Sequence, residues 1–367
     1  MGKKRFFDDR LKYLSFIQNT SEKKAISQKI YPHIAGLSQH KSYLRILDAG
    51  TGDGTIKSNV IKSFHRYHPY TSLLVTGNEI SYEDLKNTIE KMPDRFVEHP
   101  NLMVTMTNVK FAELGLIESS SKIKNKKVKE FNLILESDNS FDFHSQITGN
   151  ALGNFIKKNW GIEIDTKNRT SYSNPCIIRV FRKDHEKHFK KFIKNDYKNN
   201  NYDLIIASQA YRAASSVATK VNNVIGPLMR LLNKSGKLIV THSSGGESIQ
   251  KILKLAFKDK EAFPNHAKDI IDYLKDNPIG ENNKYTFSKP LSYFFNFKKA
   301  PDQTVTELFG HNIDAKWANI VYVGQIPDKD ILALEKNTRL HNKVKKAIDS
   351  SGKIQFKNEI YTITKSR

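Results

Sequence analysis

Asp48-Ala-Gly-Thr-Gly-Asp-Gly54 follows the apolar run Leu44-Arg-Ile-Leu47 and opens a helix-like segment from Ile56 to His65. Glycines suit such a loop because a Cβ would hold the backbone away from a ligand, and some of these positions call for φ > 0. About 25 residues later, the next apolar run, Leu73-Leu-Val-Thr-Gly-Asn, ends in Glu79. A carboxylate there can accept both ribose hydroxyls of an adenosine. The spacing G-x-G-x-G differs from the dinucleotide pattern G-x-G-x-x-G, because Thr55 follows Gly54 and no glycine stands at the dinucleotide position. Asp48 and Asp53 would repel a pyrophosphate but suit a sulfonium cofactor with a free amine. The residues therefore predict S-adenosylmethionine, held by Asp48, Gly50, Thr51, Gly52, Gly54 and Glu79, with Ile80 and Asn108 beside them. A glycine loop that merely turns the chain is the plainer alternative.

Two further stretches carry polar residues at a predicted strand end. Tyr202-Asp-Leu-Ile-Ile-Ala-Ser-Gln-Ala-Tyr211 delivers Ser208 and Gln209 to the carboxyl edge of the sheet, where ligands of α/β folds bind. The Asp/Asn-Pro-Pro-Tyr/Phe run of many base methyltransferases is absent from it, which counts against a nucleic-acid base as substrate. His242-Ser-Ser-Gly-Gly-Glu247 follows the next apolar run, Leu238-Ile-Val-Thr. His242 reads as a proton acceptor or as a satisfied structural histidine, and the loop as a substrate wall or a solvent turn.

These residues need a scaffold. Apolar runs at 44–49, 73–79, 101–107, 202–208 and 238–242 predict strands. The helical patterns between them, with Ser81 as an N-cap candidate and Val224 to Leu232 as a later helix, predict parallel crossovers. Before the first strand, residues 1–42 show helical periodicity in Phe6, Phe7, Leu11, Leu14, Phe16 and Ile17, then in Ala25, Ile26, Ile30 and Ile34. Thr20-Ser-Glu-Lys23 supplies N-cap candidates between the two sets. Residues 119–201 are rich in Lys and Asn and too long for a plain loop, so they predict an inserted subdomain or a flap. Residues 259–367 carry Phe287, Tyr293, Phe295 and Phe297 and predict a closing hairpin from Lys353-Ile-Gln-Phe and Glu359-Ile-Tyr-Thr-Ile.

Composition bounds the rest. Of 367 residues, 38% are hydrophobic, enough for a real core. No apolar run reaches the roughly 20 residues a membrane span needs, and no signal peptide is read, so a cytoplasmic, membrane-free protein is expected. The lone Cys176 excludes an internal disulfide and argues against a cysteine metal site. The net charge is +22, from 60 Lys+Arg against 38 Asp+Glu. Lysine far outnumbers arginine, the better reader of bases and phosphates. That balance fits an AT-rich coding sequence better than a nucleic-acid partner.

Taken together, the chain resembles the histamine N-methyltransferase family of small-amine methyltransferases. The resemblance runs through Phe7-Asp-Asp-Arg-Leu-Lys-Tyr13, Asn19-Thr-Ser-Glu22, Lys41 to Ile56, Glu79-Ile-Ser81, Tyr202-Asp-Leu-Ile with Gln209, Ser243-Ser-Gly-Gly and Gly352-Lys-Ile-Gln-Phe-Lys-Asn358. It implies an α/β fold: a Rossmann-like class I methyltransferase sheet with an N-terminal helical lid (1–42), a cofactor core (43–118 and 202–258), a central insertion (119–201) and a C-terminal α+β extension (259–367). It also implies that Glu22 and Asn358 hold an amine substrate, and that Ser208 and Gln209 line the cofactor and the adjoining substrate face. The family's aromatic pair after the glutamine is replaced by Ala210-Tyr211-Arg212. Its tryptophans after strand five are replaced by Glu247, Ser248 and Ile249. An aromatic box for imidazole is not preserved, so histamine is not expected. The resemblance implies N-methylation of another small amine or amino-acid derivative. A methyltransferase for RNA or protein, gripping through the basic insertion, and a cofactor-binding protein without turnover stand as alternatives.

Overall fold

The computed structural model describes residues 10–117, 120–164, 170–194, 201–258, 260–280, 284–296, 315–351 and 354–366. Phe6, Phe7, Phe297 and Gly352-Lys353 lie outside them. The central element is a sheet of ten strands among the described residues. In chain order these are β1 (Tyr43–Ala49), β2 (Ser72–Asn78), β3 (Leu102–Thr107), β4 (Lys129–Leu135), β5 (Cys176–Arg182), β6 (Tyr202–Ser208), β7 (Leu232–Gly245), β8 (Tyr285–Phe287), β9 (Leu291–Asn296) and β10 (Gln355–Lys365).

The spatial order is β8-β10-β7-β6-β1-β2-β3-β5-β4, with β9 also on β10. The five strands β3-β2-β1-β6-β7 run parallel. Their central stretches are rich in apolar residues because helices cover both faces; every residue of β2 and β6 is buried. Chain order reverses between β1 and β6, so the crevice at their carboxyl ends is the topological switch point.

Side-chain alternation divides the core. Ile46, Ile206, Ile239 and Ile360 face the helices α2 (Glu22–Ala35) and α3 (Thr55–Tyr67), through Ile26, Ile30, Val60 and Phe64. Leu47, Ile205, Leu238 and Tyr361 face the other layer, through Val221, Ile225 and Ile270. A third cluster joins Phe16 of α1 (Arg10–Asn19) to Phe295, Phe356, Trp317 and Ile320. The Phe295 and Phe356 rings stack at 4.9 Å, and Phe16 meets each edge-on at 6.2 Å.

Several local expectations change. The C-terminal hairpin does not form: β10 runs unbroken from Gln355 to Lys365, between β7 on one side and β8 and β9 on the other. Antiparallel partners on both flanks satisfy its backbone groups without a turn at Lys357-Asn358. Two apolar pieces of the 119–201 stretch, β4 and β5, extend the sheet beyond β3, with β5 antiparallel to β3. The helix read at 224–232 spans 217–230 and contains a π-wound turn, Val221–Ile225. Ser21 precedes α2 but does not cap it; its hydroxyl donates to the Asn296 carbonyl at 3.2 Å and accepts the Asn296 N–H at 3.1 Å. Ser81 does cap α4 (Tyr82–Glu90), accepting from the Asp84 N–H at 3.2 Å. Among the described residues no helix is long and apolar enough to cross a membrane.

Candidate functional site

The glycine loop leaves β1 at the switch point. Gly50, Gly52 and Gly54 all have positive φ, at 77°, 58° and 77°. A Cβ on Gly54 would lie 2.7 Å from the Thr88 backbone, and one on Gly52 would meet Tyr13 Oη. The loop is pinned to the end of β2, where the N–H groups of Gly50 and Thr51 donate to the Asn78 carbonyl at 3.1 and 3.0 Å. Thr51 Oγ1 donates to the Asp48 carbonyl at 3.1 Å. Glu79, just past β2, accepts the Gly52 and Ser81 N–H groups, each at 2.8 Å. Each of its oxygens keeps a lone pair for a further donor. Ile80 stands half-exposed beside it.

Charge is concentrated here. Lys57 of α3 is fully enclosed beneath the loop, its ammonium 2.8 Å from Met106 Sδ. Burial pushes its pKa down, against the pull of Asp48. Burial likewise pushes the Asp48 carboxyl up, against Lys57, Lys23 and the Thr51 hydroxyl. Asp53 is held by Lys91 at 2.7 Å and by the Thr55 hydroxyl. Its carboxyl stays below the usual range, because Lys23, Lys91 and Thr55 outweigh burial.

Three distant parts of the chain meet beside this loop. Glu22 Oε1 accepts from Gln209 Nε2 at 3.2 Å and from Asn358 Nδ2 at 3.4 Å. Asn358 Nδ2 also donates to Tyr293 Oη at 3.2 Å, and Tyr293 shares a hydrogen bond with Thr241. Gln209 Oε1 accepts from the Ser243 N–H at 3.0 Å. Gln209 itself has φ 54°, a left-handed conformation unusual for this residue type. It directs the amide toward Glu22 at a cost of roughly 1–3 kcal/mol. Burial pushes the Glu22 pKa up, opposed by Lys23 and by the two amide donors.

Not every expected residue joins this group. Asn108 does not: its Nδ2 donates to the Asn174 carbonyl at 2.9 Å and its Oδ1 accepts the Cys176 N–H at 2.8 Å. Its amide clamps the end of β3 to the start of β5. His242, read either as a proton acceptor or as a structural residue, also stands apart from this group. It alternates with Thr241 and Ser243 along β7 and so faces the opposite side of the sheet. There it shares a 2.6 Å hydrogen bond with Tyr211 and lies 3.5 Å from Glu359. Sequence reasoning gave no site role to Tyr13, Lys23, Lys57 or Tyr293. Lys57 left a signal, as a lysine one residue after Ile56 in the helix that the glycine loop opens.

Four buried side-chain atoms, Asp48 Oδ2, Ser208 Oγ, Ser243 Oγ and Asn358 Oδ1, have no hydrogen-bond partner among the described residues. They lie at adjacent ends of β1, β6, β7 and β10, on the sheet face shared by Ile46, Ile206, Ile239 and Ile360. Each unsatisfied group costs about 1–3 kcal/mol, so the arrangement fits a polar ligand along this edge.

No family model and no curated protein matches the chain. Solved structures similar to it include the [4+2]-cyclase SpnF, at 12% identity over 92% of this chain and 81% of that one, TM-score 0.39. Another is the O-methyltransferase TomG from Streptomyces achromogenes in complex with SAM, at 7% identity over 74% and 73%, TM-score 0.30. A third is a geranyl diphosphate methyltransferase in complex with GPP and sinefungin, at 8% identity over 94% and 78%, TM-score 0.34. The fold rests on the chain's own topology: a mixed α/β, Rossmann-like sheet with five central parallel strands and an antiparallel strand, β10, beside β7.

Proposed function

We propose that this protein is an S-adenosylmethionine-dependent methyltransferase acting on the nitrogen of a small amine or amino-acid-derived substrate. The observation that carries the reading is the convergence of Glu22, Gln209 and Asn358 beside a glycine loop at the switch point. The unpartnered atoms of Asp48 and Ser208 support a cofactor with donors of its own, and those of Ser243 and Asn358 support a polar substrate. Gly50, Thr51, Gly52, Gly54, Glu79 and Ile80 would cradle the adenosine and methionine parts.

When bound, this cofactor supplies a methyl carbon already activated by a sulfonium. The protein's task is then positioning, which can contribute effective molarities of about 10⁵ M or more. Glu22 pairs with a substrate ammonium, and its raised pKa makes the carboxylate a better proton acceptor. Asn358, fixed through Tyr293 and Thr241, offers its free Oδ1 to the substrate's remaining N–H.

The test is calorimetric titration of S-adenosylmethionine and S-adenosylhomocysteine into wild-type protein and Glu79→Ala. Micromolar binding, lost in the variant, is expected. A screen of amines with isotopically labelled methyl donor follows, with tRNA as the macromolecular control. Absence of binding by folded wild-type protein sinks the reading.

A further inference from the structure

Lys23 occupies the first turn of α2, where a cation opposes the helix dipole. It therefore does not serve the helix. Its ammonium lies over the Tyr13 ring, 5.7 Å from the centroid, and makes no ion pair or hydrogen bond among the described residues. Tyr13 in turn touches the glycine loop, accepting the Asp53 N–H at 3.3 Å. Lys23 thus sits on α2 beside Tyr13 and the loop, and the nearby Glu22, Asp53 and Asp48 carboxylates favour its charge.

The other lysines at the loop are occupied or shut away. Lys91 is bound to Asp53, and Lys57 is enclosed below. Four carboxylates border the crevice: Asp48 and Asp53 in the loop, Glu79 at β2 and Glu22 on α2. They suit the ammonium and sulfonium of the proposed cofactor, and they would repel its carboxylate. Lys23 is the cation placed to hold that carboxylate. Resting on the cofactor reading, we infer that Lys23 grips the α-carboxylate of the cofactor's methionine moiety and so fixes the direction in which the methyl group faces Glu22 and Asn358.

The experiment compares two ligands: S-adenosylmethionine and its decarboxylated counterpart, identical except for the missing α-carboxylate. Calorimetric affinities are measured for wild type, Lys23→Met, Lys23→Arg and Lys24→Met, the last an exposed neighbour on α2. A charged hydrogen bond of this kind corresponds to roughly 10- to 100-fold in affinity. Lys23→Met is expected to weaken S-adenosylmethionine by about that factor and to leave the decarboxylated compound unchanged. Lys23→Arg should restore part of the loss, and Lys24→Met should change neither ligand. Equal weakening of both ligands by Lys23→Met, or no weakening of either, overturns the inference while the cofactor reading stands. Wild-type protein that binds neither compound overturns both. Thermal melts of each variant separate a lost contact from a lost fold.

Discussion

Glu22 sits where a carboxylate is costly, buried against two amides that both donate to it. Replacing it by glutamine keeps the shape and removes the charge. Glu22→Gln is expected to retain cofactor affinity within about twofold while the methyl-transfer rate falls by about 10²-fold or more, the usual scale for a lost proton acceptor. The rate should also lose its dependence on the ionisation of a carboxyl on the acid side of the pH profile. A rate unchanged in Glu22→Gln would assign the residue to packing. Asn358→Ala tests the neighbouring group: the apparent KM for an amine substrate should rise more than the affinity for cofactor falls.

The elements that hold these residues are the glycine loop and the helices α1 and α2. Gly54 has φ 77° and stands 2.7 Å, by its missing Cβ, from the Thr88 backbone. Gly54→Ala pushes α3 and α4 apart and should reduce cofactor affinity at least tenfold, read by calorimetry, with a lowered Tm. The anchorage of α1 depends on Phe16, whose ring packs 4.9 Å from Tyr322 and meets Phe295 and Phe356 edge-on. Removing a buried phenylalanine costs about 3–5 kcal/mol. Phe16→Ala should detach α1, so limited proteolysis should cleave within residues 10–19 at a rate that wild type resists. Cofactor should slow that cleavage less than it does in wild type, since Tyr13 lies on the same helix.

Across the whole molecule, the sheet separates two polar systems. One face carries Glu22, Gln209, Asn358 and the loop. The other carries Tyr211, His242, Glu359 and His266, with Glu359 also accepting the Ala267 N–H at 2.7 Å. Burial raises the Glu359 pKa, but His242 and the Ala267 N–H overcome it and bring the carboxyl down to about 2, from an unfolded value of 4.5. A carboxyl with a depressed folded pKa binds more protons unfolded. Its contribution, of the order of 3 kcal/mol, is complete above about pH 4.5 and is lost as pH falls toward 2. Denaturation curves at pH 7 and pH 3 should show Glu359→Gln well below wild type at pH 7, with the gap shrunk to less than half at pH 3.

The sequence by itself determined the local frame of the site. Alternating glycines after β1, an acid after β2 and apolar runs long enough for buried strands are chain-local signals, each tied to one backbone requirement. Ser81 as the cap of α4 is of the same kind. Only the tertiary structure decided which side chains meet. It joined Glu22 to Asn358, 336 positions apart, turned His242 away from the crevice, and spent Asn108 on holding β5. It also made one strand of an expected hairpin and two sheet strands of an expected insertion. Those outcomes depend on pairing between distant segments, which satisfies backbone groups more fully than a local turn does. Local periodicity does not encode which distant strand arrives. The charge of Lys23 shows the same division: its place in the sequence marks a helix start, and its half-buried position over Tyr13 beside the loop makes it a candidate ligand contact.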